Sequence, residues 1–140
     1  MEILIVNPEI ISENENAARD AFNRGDYVIC FLLIHSLIES LLRAFLGKTG
    51  EETFNNLIKS FNKLMKSEGQ NQSTFINELS ELNRRRNRVI HELWAKGYSV
   101  TNENLKNVCQ VSFMVFGLLI DWISTFNPEI IESGFDYENN

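Results

Sequence analysis

Between Asp26 and Gly47 the chain carries a segment that is apolar on nearly every side. Val28, Ile29, Phe31, Leu32, Leu33, Ile34, Leu37, Ile38, Leu41, Leu42 and Phe45 leave almost no polar stripe, and Glu39 is an acidic residue embedded among them. Such a helix is stable only where something covers it all round, at the centre of a bundle or against a partner subunit. Asp26 offers it an N-cap and Gly47 a stop. The whole chain has 140 residues, the length of one domain. Its seven Gly and two Pro are too few for the turns of a many-stranded β fold. The expected architecture is all-α, an up-and-down bundle of about five helices. A single domain over 1–140 is expected, with its core over about 12–126.

Local signals divide the rest. Ser12 and Glu15 have capping-box spacing and predict a first helix from Ser12 to Gly25. Phe54, Leu57, Ile58, Phe61, Leu64 and Met65 share one stripe of a third helix, and a polar loop follows over 67–72. Ser73 caps a fourth helix to about Ala95, closed by Gly97. Thr101 caps a fifth, from about Asn102 to Phe126. In that fifth helix Leu105, Val108, Val115, Leu119 and Trp122 make one stripe. Cys109, Phe113, Phe116, Ile120 and Ile123 make another. That is more apolar surface than a five-helix monomer comfortably hides, and it predicts a homodimer. A central place for the helix within the monomer is the alternative. Pro8 and Pro128 suit first helical turns, and the repeated Asn-Pro-Glu-Ile-Ile around them is read as coincidence. Residues 127–140 read as an acidic, loosely attached tail.

The net charge of −6 excludes indiscriminate coating of nucleic acid. Arg84, Arg85, Arg86 and Arg88 focus any polyanion contact on one place. Cys30 and Cys109 lie in apolar stretches and read as buried thiols. No CxxC, HxxxH or HExxH spacing occurs, so neither a metal nor a cofactor is expected. The start lacks the basic residues of a signal peptide, and the apolar run Val111 to Ile120 is too short to span a bilayer. These features predict a cytoplasmic protein with no membrane partner.

The fourth helix carries the anomaly. Its apolar stripe runs Phe75, Leu79, Leu82, Val89 and Leu93, and the residue in the gap is Arg86. An unpaired guanidinium in a core is costly. Arg86 therefore reaches a rim, pairs with a buried carboxylate, or lines a cleft for an anion. The structural alternative is a packing bridge, Arg86 with Glu39 or Glu39 with Arg43 at i,i+4. Asn87 and His91 share a helix face bordered by Arg84 and Arg88. Arg86 and His91 stand about 140° apart on a straight helix, so they meet one ligand only with distortion, a long reach or a second subunit. Trp94 and Tyr98 could stack a base, although packing against the adjacent loop is the preferred reading for both.

Arg86-Asn87-x-x-x-His91 resembles the signature of HEPN domains, an arginine and a polar residue followed by a histidine. Its place late in the penultimate long helix is similar too. So is the preceding apolar helix with the embedded acid of Leu37-Ile38-Glu39-Ser40-Leu41-Leu42-Arg43, entered through Gly25-Asp26-Tyr27. The resemblance covers about Ala17 to Phe126. It implies a dimerising helical bundle, and in many members metal-independent cleavage of RNA by 2′-hydroxyl attack. Carried over, Arg86, Asn87 and His91 form the site, with Glu39 as a lesser addition. In that scheme Arg86 takes the phosphate, His91 moves the proton, and Arg84, Arg85, Arg88 and Lys96 hold flanking phosphates. The family also implies a partner, an antitoxin or a nucleotidyltransferase that modifies a tyrosine two residues past the histidine. Here that position is Leu93, so regulation by that modification is not expected. The family's noncatalytic members imply the alternative of an RNA-binding or scaffold dimer.

Overall fold

The computed structural model describes residues 7–48, 50–70 and 72–126, and among them there are six helices and no strand. They are α1 (Pro8–Asn23), α2 (Tyr27–Phe45), α3 (Phe54–Ser67), α4 (Ser73–Lys96), α5 (Tyr98–Glu103) and α6 (Lys106–Phe126). The all-helical bundle is as expected. The additional helix is α5, a short coil in the connection between α4 and α6. Thr101 lies inside α5 instead of capping the last helix. Its buried hydroxyl donates to Gly97 O at 2.8 Å, which tightens the turn leaving α4. The predicted tail at 127–140, including Pro128, lies outside the described residues.

The apolar α2 occupies the centre and touches each of the other five helices. Phe31, Ile34, Ile38, Leu42 and Phe45 are completely buried. Edge-on ring contacts continue the core outward. Phe61 of α3 meets Phe45 at 6.1 Å and Phe75 of α4 at 6.0 Å, in the geometry aromatic quadrupoles favour. At the other end Phe22 of α1 meets Phe113 of α6 at 5.7 Å. Both stripes of α6 are largely covered within the bundle; among its described side chains the exposed large apolar ones are Met114 and Leu118. By length and composition α2 and α6 would each suffice to cross a membrane, but both pack here as bundle helices. Cys30 and Cys109 are fully buried as expected, and the Cys109 thiol donates to Tyr27 O at 3.2 Å. The adjacent Cys30 and burial push the Cys109 thiol far above its ordinary range, so it stays protonated.

Helix starts differ from the sequence signals for identifiable reasons. α1 begins a turn before Ser12, because Asn7 Oδ1 accepts from the Glu9 N–H at 2.9 Å and Pro8 fits the first turn. Glu15 is then an interior, buried residue and closes no capping box. Ser73 is the first residue of α4, with Gln72 in the cap position. The Asp26 side chain does not cap α2. Its carboxylate accepts from Arg24 Nε at 3.1 Å and from the Tyr98 hydroxyl at 3.5 Å. The cap comes instead from α5. Asn102 Oδ1 accepts from the Val28 N–H at 2.9 Å, and Asn102 Nδ2 donates to Gly25 O at 2.8 Å. Gly25 supplies the left-handed turn, at φ +80°, that lets the chain leave α1 and enter α2. Asn102→Ala removes both bonds and should lower stability by about 1–2 kcal/mol, measured by urea unfolding.

Candidate functional site

The uncovered arginine follows from where α3 begins. α3 and α4 run antiparallel, with Phe61 against Phe75 and, further along, Asn83 Nδ2 donating to Asn55 Oδ1 at 3.2 Å. Asn55 is the second residue of α3. The helix that covers the α4 stripe therefore ends at the level of Asn83, and Arg86 is one turn further on. Phe75, Leu79 and Leu82 are buried under that cover. Beyond it, Val89 stays buried in the second half of α4, which packs towards α5 and α6. Arg86 is exposed, and so are Asn87, Ile90, His91 and Trp94 on the open side.

Arg86 is thus a rim residue. Its Nη1 donates to Asn87 Oδ1 at 3.3 Å, so Asn87 turns its oxygen to the arginine and not to His91. Trp94, expected to pack on the neighbouring loop, is 90% exposed. The loop after Gly97 coils into α5 and turns towards α2 through Asn102, which carries it away from the indole. Tyr98 is exposed, and its hydroxyl reaches Asp26 as described above.

Glu39 is held by its own helix. Arg43 Nη2 donates to Glu39 Oε2 at 2.9 Å, and Arg43 Nη1 donates to Glu52 O at 3.0 Å. Of the two packing bridges open to Glu39, the i,i+4 pair with Arg43 is the one formed. It braces α2 against the segment entering α3. The basic cluster divides as well. Arg84 grips Glu81 Oε2 through Nε at 3.0 Å and Nη2 at 2.7 Å, and Arg85 Nε lies 3.9 Å from Glu81 Oε1. Hydrogen bonding from Arg84 holds the Glu81 carboxyl below its usual range. Arg85 and Arg88 line a cavity of about 170 Å³ with Glu92, Thr101 and Asn104, on the flank of α4 facing α5. Lys96 is exposed in the last turn of α4.

Sequence reasoning passed over His35. It sits on α2 one turn before Glu39 and is only 4% exposed. Its ring lies 4.8 Å from that of Phe54 and 6.2 Å from that of Phe31. Its Nε2 is buried without a hydrogen-bond partner. Leaving such an atom unsatisfied costs about 1–3 kcal/mol. Burial, helped by the positive charge of Arg86, pushes the imidazole down to about 4, against the opposing influence of Glu39 and Asn83. At neutral pH the ring is uncharged. The signal was present in the spacing His35, Glu39, Arg43, a polar i,i+4 series through an apolar helix.

Among the described residues no group of three or more His, Cys, Asp or Glu is placed to hold a metal ion. Compared with protein-family models, with curated proteins and with solved structures, the chain matches none.

Proposed function

We propose that this chain is a HEPN-like, metal-independent endoribonuclease acting as a homodimer. The observation that supports it best is the exposed guanidinium of Arg86, on an apolar stripe at the point where the covering helix stops. A fork of donors there suits phosphate oxygens. Arg86 neutralises the charge that builds on the phosphate when the ribose 2′-hydroxyl attacks it. Asn87 orients Arg86 through the bond they share. His91 transfers the proton, as an imidazole can near neutral pH. Arg88 and Lys96, both exposed on α4, hold flanking phosphates.

The dimer completes the site. Arg86 and His91 point about 140° apart around one helix, so the face of a second α4 supplies the missing partner to a phosphate between them. Ile90 and Trp94, exposed beside them, are the apolar contacts that such a pairing buries. Trp94→Glu is expected to convert a dimer to a monomer in sedimentation at micromolar concentration. A wild-type chain that sediments as a monomer removes the shared site.

The direct test gives the purified protein single-stranded RNA in the presence of a chelator. Products ending in a 2′,3′-cyclic phosphate are expected, and intact RNA overturns the proposal. The divergent directions of Arg86 and His91 favour a second reading, a noncatalytic RNA-binding dimer, which predicts bound but uncut RNA in the same tube.

A further inference from the structure

The cavity on the flank of α4 is lined by two opposite charges that do not meet. Arg85, Arg88, Val89 and Glu92 follow one face of α4 at helical spacing, and residues within 101–108 form the opposite wall. Arg85 is already opposed, since its Nε lies 3.9 Å from the Glu81 carboxylate that Arg84 also grips. Arg88 is not. Among the described residues it forms no ion pair, although Glu92 stands one turn further along the same face. Glu92 in turn pairs with neither Arg88 nor Lys96, each four residues away, a spacing at which helical ion pairs ordinarily close. The floor between the charges is apolar, made by the buried Val89 and Leu105 and the half-buried Val108. The Thr101 hydroxyl is engaged with Gly97 O. Asn104 Nδ2 donates to Val100 O at 3.4 Å, which leaves Asn104 Oδ1 as a further acceptor on this wall.

We propose that this cavity is a binding site for a free aliphatic α-amino acid such as leucine. The ligand carboxylate lies on the fork of Arg88, its ammonium on Glu92 and Asn104 Oδ1, and its side chain over Val89, Leu105 and Val108. Charge selects the ligand class. With Arg85 set against Glu81, the remaining arginine and glutamate cancel. A zwitterion satisfies both, whereas a phosphate would face Glu92 as a like charge. Size agrees, because about 170 Å³ admits one small amino acid and not a nucleotide. Side chains four apart on a helix have Cβ atoms roughly 5–6 Å from each other, a span that the adjacent carboxylate and ammonium of an α-amino acid bridge. The inference goes beyond the nuclease reading and does not depend on it. That reading gives Arg88 a flanking phosphate, so the two ligands would compete for one guanidinium.

The test is an amide NMR titration of the full-length chain with L-leucine. Shifts centred on residues 88–92 and 101–108 are expected. They should saturate with a dissociation constant on the order of 1 mM, as suits a small ligand in a partly open site. Isocaproate, which lacks the ammonium, and isoamylamine, which lacks the carboxylate, are expected to bind about tenfold more weakly or worse. Glu92→Gln should remove the advantage of leucine over isocaproate, and Arg88→Met its advantage over isoamylamine. Glu103→Gln, exposed on α5 and outside the cavity, should bind leucine as the wild type does. If leucine, valine and methionine all fail to give saturable shifts in these segments, the proposal is overturned. It is overturned equally by analogues that bind as tightly as leucine, by a Glu92→Gln chain that keeps the preference, or by equal losses in Glu92→Gln and Glu103→Gln. The analogue series needs only the wild type, so it decides the matter even where a variant fails to fold.

Discussion

His91→Ala is expected to lower RNA cleavage by about two to four orders of magnitude, the usual contribution of a positioned proton-transfer group. The same change should leave unfolding free energy within about 0.5 kcal/mol, because the side chain is exposed and lies outside the core. The two readouts together carry the inference. A fall in cleavage with an unchanged unfolding curve assigns His91 to chemistry. Cleavage that persists at wild-type rate moves the proton-transfer role elsewhere on α4. Cleavage that falls together with stability would mark His91 as part of the fold, which its exposure does not support. The product ends add a check, since residual activity from a contaminating nuclease would survive the substitution.

Acidification is expected to destabilise the protein through His35 by roughly 3 kcal/mol, and His35→Phe should abolish that share. The folded ring titrates near 4 and the ordinary value is 6.5. The unfolded chain therefore takes up the proton first. Stability from this group is complete above about 6.5, declines as the pH falls through that window, and levels off below about 4. Burial is the main cause of the displacement, so it should persist in moderate salt. Urea unfolding at pH 7 and pH 4.5 measures the slope in both proteins. Carboxylates titrate in each, so the difference between the two slopes isolates His35. Parallel slopes would mean that the ring is hydrated in solution and that its Nε2 finds a partner there.

The long elements were legible because their signals are strong. The unbroken apolar character of α2 demanded a central helix, and α2 touches every other one. The stripe from Phe54 to Met65 gave α3 its buried face. Helix starts were harder, since caps depend on competition. Ser12 with Glu15 was read as the beginning, but Asn7 and Pro8 start the helix one turn upstream. The α2 cap was invisible because Asn102 is far away in the chain and meets Val28 only after folding. The gap at Arg86 could be read from the spacing, but its exposure required knowing where α3 begins, a tertiary fact. Trp94 was misjudged because an adjacent loop was assumed to cover it, and that loop coils into α5. His35 was overlooked among its apolar neighbours. The packing of α3 and α4 over α2, which sequence spacing does not report, is what isolates it.

Arg86→Met tests most directly whether the guanidinium stands in the gap of an apolar stripe for the sake of an anion. Unfolding in urea and binding of single-stranded RNA are measured on the same preparation of variant and wild type. Unchanged or increased stability with RNA binding lost is expected, because a methionine suits the apolar stripe and cannot grip a phosphate. A chain that loses about 2 kcal/mol or more of stability yet binds RNA as the wild type does would show that the arginine belongs to the fold, and the ligand role would be wrong.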